Sequence, residues 1–270
     1  GEELSNWSNI LIPEALPGNI KLSAEGISYR GRIVRDARIA AEINDDKIDI
    51  SNIYALLPGV SVINGTGAII TRDGAPQFDG EILLHSDNAR DFLRWLGLNV
   101  TSVSQNRLNN LTYQGRVRMR PDLIQAYNFQ ASIDATNING SVGIALRQRP
   151  AFSIDAHIDR LNFDSYIAVS ESEDSSSQFS IKILDSFDTD IRLHMDELTM
   201  LGEQLIDLKV DLGLLSGVLT ARELTVENLD GIRGTLTGIT SGFSENIGGT
   251  GAINLVAGDP SSLARLFKIP

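Results

Sequence analysis

The chain has no cysteine among its 270 residues. That excludes disulfides, thiolate catalysis and cysteine-based zinc sites, while leaving the compartment open. Basic charge is scarce: 23 Lys and Arg stand against 35 Asp and Glu, for a net charge of −12 and a pI near 4.7. Nucleic-acid binders carry a basic face, and polybasic membrane-surface binders cluster Lys and Arg. Neither pattern occurs, so no nucleic-acid partner is expected. No apolar run approaches the roughly 18 residues of a membrane-spanning helix, and no signal peptide is recognisable. The chain opens in mid-pattern at Gly1, so we expect a segment of a longer protein whose targeting or anchoring sequence lies outside it.

What the sequence does contain is a repeat. Gly80–Leu98 reads as a strand, a turn and a short helix, and it returns as Gly251–Ile269 at an offset of 251 − 80 = 171 residues. Ile82 meets Ile253, Leu84 meets Leu255, Phe92 meets Leu263 and Arg94 meets Arg265. Asn88 falls opposite Asp259, both good N-cap residues, and Pro260 takes a first helical position where a missing N–H costs nothing. The offset also holds upstream: Ile20 meets Ile191, Gly31 meets Gly202, Asp36 meets Asp207 and Ile39 meets Val210. Two blocks of about eighty residues share one plan, which marks a modular architecture.

Within each block the hydrophobic period is two, the signature of half-buried strands. Ile20, Leu22 and Ala24 alternate; so do Ala37, Ile39, Ala41 and Ile43. Turn signals at Asp45-Asp46, Pro58-Gly59, Asp73-Gly74, Asn139-Gly140, Ser216-Gly217 and Asp230-Gly231 separate the strands. The predicted organisation is a short helical lead-in at 1–17, a five-strand repeat with a helix at 88–97 over 18–100, and a middle β repeat over 101–169. An acidic, Ser-rich loop follows at 170–179, then a second five-strand repeat with a helix at 260–268 over 180–270. The fold class is mostly β: a long curved antiparallel sheet, either a repeating β-groove or an open taco or sandwich, with short helices closing each repeat. Strands of about ten residues joined by short turns favour antiparallel pairing with one apolar face.

Catalytic and metal chemistry finds little purchase here. His85, His157 and His194 each fall in a predicted strand, with no second histidine or carboxylate at ligand spacing on the same face, so no metal site is expected. Asp87 and Asp91, and Asp159 and Asp164, flank helix starts, where capping explains them without acid–base catalysis. Gly65-Thr66-Gly67 and Gly248-Gly249-Thr250-Gly251 precede strand patterns rather than helices, so they read as hairpin turns or bulges, not phosphate loops. Glu171, Glu173 and Asp174 lack the spacing and glycine of a calcium-binding loop. No enzyme and no cofactor are expected.

Three runs carry a family resemblance. The first is Ile20–Gly31, a strand ending in Tyr29-Arg30-Gly31, followed by Val34–Ile39. The second is Phe78–Ile82 leading into Phe92–Gly97. The third is Arg160–Ile167 after Arg149-Pro150. In order and spacing the chain resembles the AsmA family, bacterial envelope proteins related to TamB and the bridge-like lipid-transfer proteins, over nearly all of 18–270. The resemblance implies a periplasmic segment of a protein anchored in the inner membrane of a Gram-negative bacterium. It implies a β-groove that shields phospholipid acyl chains in transit between inner and outer membranes, in support of outer-membrane biogenesis.

The expected lining is Ile20, Leu22, Ile39, Ile43, Ile48, Ile50, Ile82, Leu84, Ile191, Leu193, Val210, Leu212, Ile253 and Leu255, with face assignment sensitive to a one-residue slip. The competing expectation is a non-enzymatic scaffold that assists outer-membrane protein assembly through exposed strand edges, with envelope or outer-membrane proteins as partners. A third is an extracellular adhesion module with calcium in the 170–178 loop.

Overall fold

The computed structural model describes residues 17–44, 47–166, 181–243, 247–259 and 261. The lead-in helix expected at 1–17, the Asp45-Asp46 turn, the acidic loop and the C-terminal helix lie essentially outside these residues.

Among the described residues fourteen strands are hydrogen-bonded in sequence order, each to the next. They are β1 (Gly18–Tyr29), β2 (Arg32–Asn44), β3 (Lys47–Leu57), β4 (Ser61–Arg72) and β5 (Ala75–Ser86), followed by a single short helix, α1 (Ala89–Trp95). Then come β6 (Leu111–Arg120), β7 (Leu123–Ile133), β8 (Thr136–Ala145) and β9 (Ala151–Asn162). The last five are β10 (Asp188–Met200), β11 (Glu203–Leu215), β12 (Val218–Leu229), β13 (Ile232–Ser241) and β14 (Gly248–Ala257). The chain divides into two compact units, one of Gly1–Ala135 with Gly143–Leu146 and one of Thr136–Val142 with Arg147–Pro270.

The 171-residue offset reappears strand by strand. Adding it to β2 gives 203–215, the span of β11, and β1, β3, β4 and β5 land on β10, β12, β13 and β14 within two residues at each end. The turns repeat too. Arg30-Gly31 and Leu201-Gly202 both hold two consecutive left-handed residues, as do Asp73-Gly74, Ser216-Gly217 and Asp230-Gly231. Two left-handed residues in a row make the tight turn whose twist matches antiparallel strands, and glycine at the second position carries it without a Cβ clash.

One pairing departs from the antiparallel expectation. β9 and β10 run parallel, with Ile191 beside Ile154, Leu193 beside Ala156 and His194 beside His157. A hairpin cannot join parallel neighbours; the chain must return to the other end of the sheet, which takes a dozen or more residues. The 163–187 connection supplies that length. Its start is a 3-10 turn at Phe163–Ser165, and a second 3-10 turn lies at Ile181–Asp185. The parallel seam lets the second five-strand repeat begin in the same orientation as the strand before it.

In the first unit α1 is capped by Asn88, whose side chain accepts from the Asp91 amide at 3.1 Å. Its Phe92 packs over Gly59, where a Cβ would come within 2.7 Å of the Phe92 amide nitrogen. Arg90 ties down the segment after the helix: its guanidinium donates to the carbonyls of Val100, Val103, Ser104 and Arg107. In the second unit the core is Met195, Leu198, Leu208 and Val226, with Ile158, Leu161, Leu205 and Leu229 among the side chains against it.

Candidate functional site

Residues opposite one another in a ladder share a face, so register decides which side chains belong together. In the first unit Ile20 faces Ala41, Leu22 faces Ile39, and Ile43 faces Ile48. Ile48 then faces Ile69, which faces Phe78, which faces Met119, which faces Ile124. A parallel row runs from Ala55 through Ile63 and Leu84 to Tyr113 and Ala131. In the second unit Ala156, Leu193, Val210, Leu224, Leu236 and Ile253 form one unbroken row over six strands. Ile158, Met195, Leu208, Val226, Gly234 and Leu255 form the next.

All fourteen residues expected to line an apolar surface therefore sit on the apolar face of their unit. The alternate positions carry most of the charge: Arg38, Asp49, Thr66, Asp79, Glu81, Arg116 and Arg118 in the first unit, alongside apolar Val62, Ile70 and Leu83, and Asp190, Arg192, His194, Lys209 and Glu223 in the second, alongside Ile239 and Val256. Many side chains of the apolar face meet solvent. Leu22 is 62% exposed, Ile39 42%, and Ile253 69%.

Glycine pairs cut a trough into this face. Gly67 faces Gly80 in the first unit, and 171 residues later Gly238 faces Gly251 in the second. In the first unit the Phe78 ring fills the space: a Cβ on Gly80 would lie 2.4 Å from its Cζ. The residue 171 positions after Phe78 is Gly249. Without the ring the second trough is open, an apolar depression of about 430 Å³ lined by Leu219, Ala221, Leu236, Gly238, Gly251 and Ile253 among others. The two glycine motifs read from sequence as turns or bulges are thus strand residues, in β4 and β14. The bulge in the first unit lies on the facing strand, where the β3–β4 register shifts between Ile50 and Ile53.

The polar face is organised by carboxylates. Asp79 accepts from Arg116 at 2.9 Å, from Arg118 at 2.8 Å and from the Tyr127 hydroxyl at 3.0 Å. Burial alone pushes its carboxyl up, and the hydrogen bonds from Arg118, Tyr127 and Arg116 together outweigh that and hold it below the usual range. Asp188, buried at the start of β10, accepts from the Ser216 amide, Arg149 and Arg147 at 2.9, 2.6 and 3.0 Å. The backbone bond from Ser216, then the Arg149 guanidinium, hold its carboxyl low.

The aspartates weighed for acid–base chemistry each have partners within the fold. Asp91 pairs with Arg32 and Asp87 with His85. Asp159 accepts from the Asn137 amide and side chain, and Asp164 accepts from the Leu201 and Gly202 amides of the β10–β11 turn. Asp159 is therefore a strand-to-strand tie rather than a helix cap.

The histidine expectation requires correction. The parallel register sets His157 directly beside His194, with ring centroids 5.0 Å apart. His157 Nε2 lies 2.7 Å from Asp196 Oδ1, and His194 Nε2 lies 2.7 Å from Asp207 Oδ1. Two histidines and two carboxylates thus share one face. Sequence reasoning missed this because the 36 residues between the histidines contain the crossover, and no local period reports a register set across it.

Among the described residues no helix is long and apolar enough to cross a membrane. No family model, no curated protein and no solved structure matches the chain.

Proposed function

We propose that this chain is a non-catalytic, AsmA-like segment whose apolar sheet face shields phospholipid acyl chains on their way between two membranes. The observation that carries this reading is the apolar register. Row after row of aliphatic side chains continues from strand to strand within each unit, and members such as Leu22 and Ile253 remain largely exposed. A contiguous exposed apolar surface of this kind calls for a ligand or partner. Each methylene kept out of water is worth about 0.8 kcal/mol. A continuous row of small and branched aliphatic residues supplies that shelter at every point without gripping the chain at any one. Nothing in this role requires a catalytic group. The periplasmic setting and inner-membrane anchoring of the parent protein follow from the resemblance and belong to the same proposal.

The test is native mass spectrometry of the chain purified without detergent, followed by lipid extraction. Co-purifying phospholipid at a reproducible stoichiometry is the expected result, and it should be transferable between liposomes. A stable apo mass with no lipid in the extract would reject the reading.

A second reading is favoured by one specific observation. Among the described residues β14 is an edge strand, exposed along Gly248–Val256, and such an edge can accept a further strand from a partner. A scaffold for outer-membrane protein assembly would use it. Capture of an unfolded β-barrel client by a lipid-free chain, abolished by a proline in β14, would favour this role over lipid shielding.

A further inference from the structure

We propose that His157, His194 and Asp196 form a binding site for a divalent transition-metal ion of the zinc class, placed to clamp the parallel β9–β10 seam. The inference is independent of the lipid reading, because the three residues sit on the opposite, polar face of the sheet. Their ligand atoms all lie within 4.8 Å of one another. Around a tetrahedral ion with bonds of about 2.0–2.2 Å, neighbouring donors stand roughly 3.3 Å apart. Small rotations of exposed side chains close that difference. His157, His194 and Asp196 are each more than a third exposed, so they have the freedom to make them.

The donor set fits the ion. Imidazole nitrogen with carboxylate oxygen suits zinc, nickel and copper, whereas calcium and magnesium take oxygen alone. Asp207, 2.7 Å from His194 Nε2, is a further carboxylate beside the cluster and can provide a fourth donor. The chain holds only three histidines, and register brings two of them to adjacent positions from 37 residues apart. The nearby ammonium of Lys209 lies 3.7 Å from Asp207 Oδ2 and competes for that carboxylate, not for Asp196. A metal here ties β9 to β10 across the connection between them, at the one described pairing in the sheet that runs parallel. Binding to the folded state alone stabilises it by mass action.

The experiment is a titration of Zn²⁺ into the metal-free full chain by calorimetry, with thermal unfolding in parallel. One ion per chain is expected, with an unfolding midpoint that rises with Zn²⁺ and returns on adding EDTA. His157→Gln and His194→Gln should each weaken binding by about 10–100-fold or more, while His85→Gln leaves it unchanged. Should a variant fail to fold, imidazole NMR of the unmodified chain decides. Zn²⁺ should move the resonances of two histidines and leave the third, assigned to His85 by the His85→Gln spectrum, in place. No saturable binding at 100 µM Zn²⁺ (roughly the weakest affinity worth a site), equal loss in all three variants, or movement of His85 alone would overturn the proposal.

Discussion

Asp36 and Asp207 stand 171 residues apart and adopt the same unusual backbone, with φ of +50° and +51° in the middle of a β-strand. Each sits in the second strand of its repeat, at the point where the ladder with the preceding strand skips a pair. Each also inverts the alternation. Ala37, Ile39, Ala41 and Ile43 share one parity and Val34 the other; Leu208, Val210, Leu212 and Leu214 share one and Leu205 the other. The left-handed residue lets the apolar face continue through the change of parity. Aspartate tolerates this conformation because its short polar side chain bonds locally; a β-branched residue does not. Asp36→Val should therefore destabilise the chain by about 1–2 kcal/mol, read as a lower denaturation midpoint at constant slope. Asp36→Asn and Asp36→Gly should be close to neutral, and an equal loss for all three would refute the backbone argument.

Leu22 and Ile253 separate lipid contact from folding. Both lie on the apolar face and both are mostly exposed, whereas Val210 packs against the core of its unit. Leu22→Asp with Ile253→Asp should strip co-purified phospholipid while the unfolding midpoint moves little, since surface changes usually fall within about 0.5 kcal/mol. Unchanged lipid content in the double variant would count against this face as the acyl-chain surface.

Gly80 has no room for a methyl group. A Cβ there would lie 2.4 Å from both the Phe78 ring and the Thr66 carbonyl oxygen. Gly80→Ala should cost about 1–3 kcal/mol through overpacking. Chemical denaturation reads this directly; a variant as stable as the parent would show that the trough of the first unit is not filled by Phe78.

Arg90 holds four carbonyls of the 100–107 segment with one guanidinium. Arg90→Ala leaves those acceptors without their donor and should cost about 2 kcal/mol, in line with hydrogen bonds to charged groups. Amide exchange across 98–110 should accelerate, with β9 to β12 unaffected.

Asp188 makes stability depend on acid. Its carboxyl is held below the ordinary value, first by the Ser216 amide and then by Arg149. A depressed carboxylate contributes stability that is present above the unfolded value of about 3.9 and is lost as pH falls through the lower folded value. Asp188→Asn should lower stability at neutral pH and flatten the decline below about pH 4. Identical acid limbs for the two proteins would assign that decline to other carboxylates.

Much of the architecture was legible from residues alone, because the signals are local. Alternation marks a strand wherever one face is buried, Asp-Gly and Ser-Gly mark left-handed turns, and the 171-residue repeat carries the plan of one unit to the other. The side of the sheet on which Ile20, Leu22, Ile191 and Leu193 fall follows from the same alternation once hairpins set the register. What the tertiary structure alone decided is non-local. The parallel β9–β10 pairing depends on how a 25-residue connection returns, and no period in β9 or β10 encodes it. That pairing, not either strand's sequence, places His157 beside His194. Likewise Asp188 meets Arg147, Arg149 and Ser216 only because strands distant in sequence end at one place. Local sterics and burial act within a strand and its turn, so sequence reports them; contacts closed across a long connection are settled by the assembled sheet.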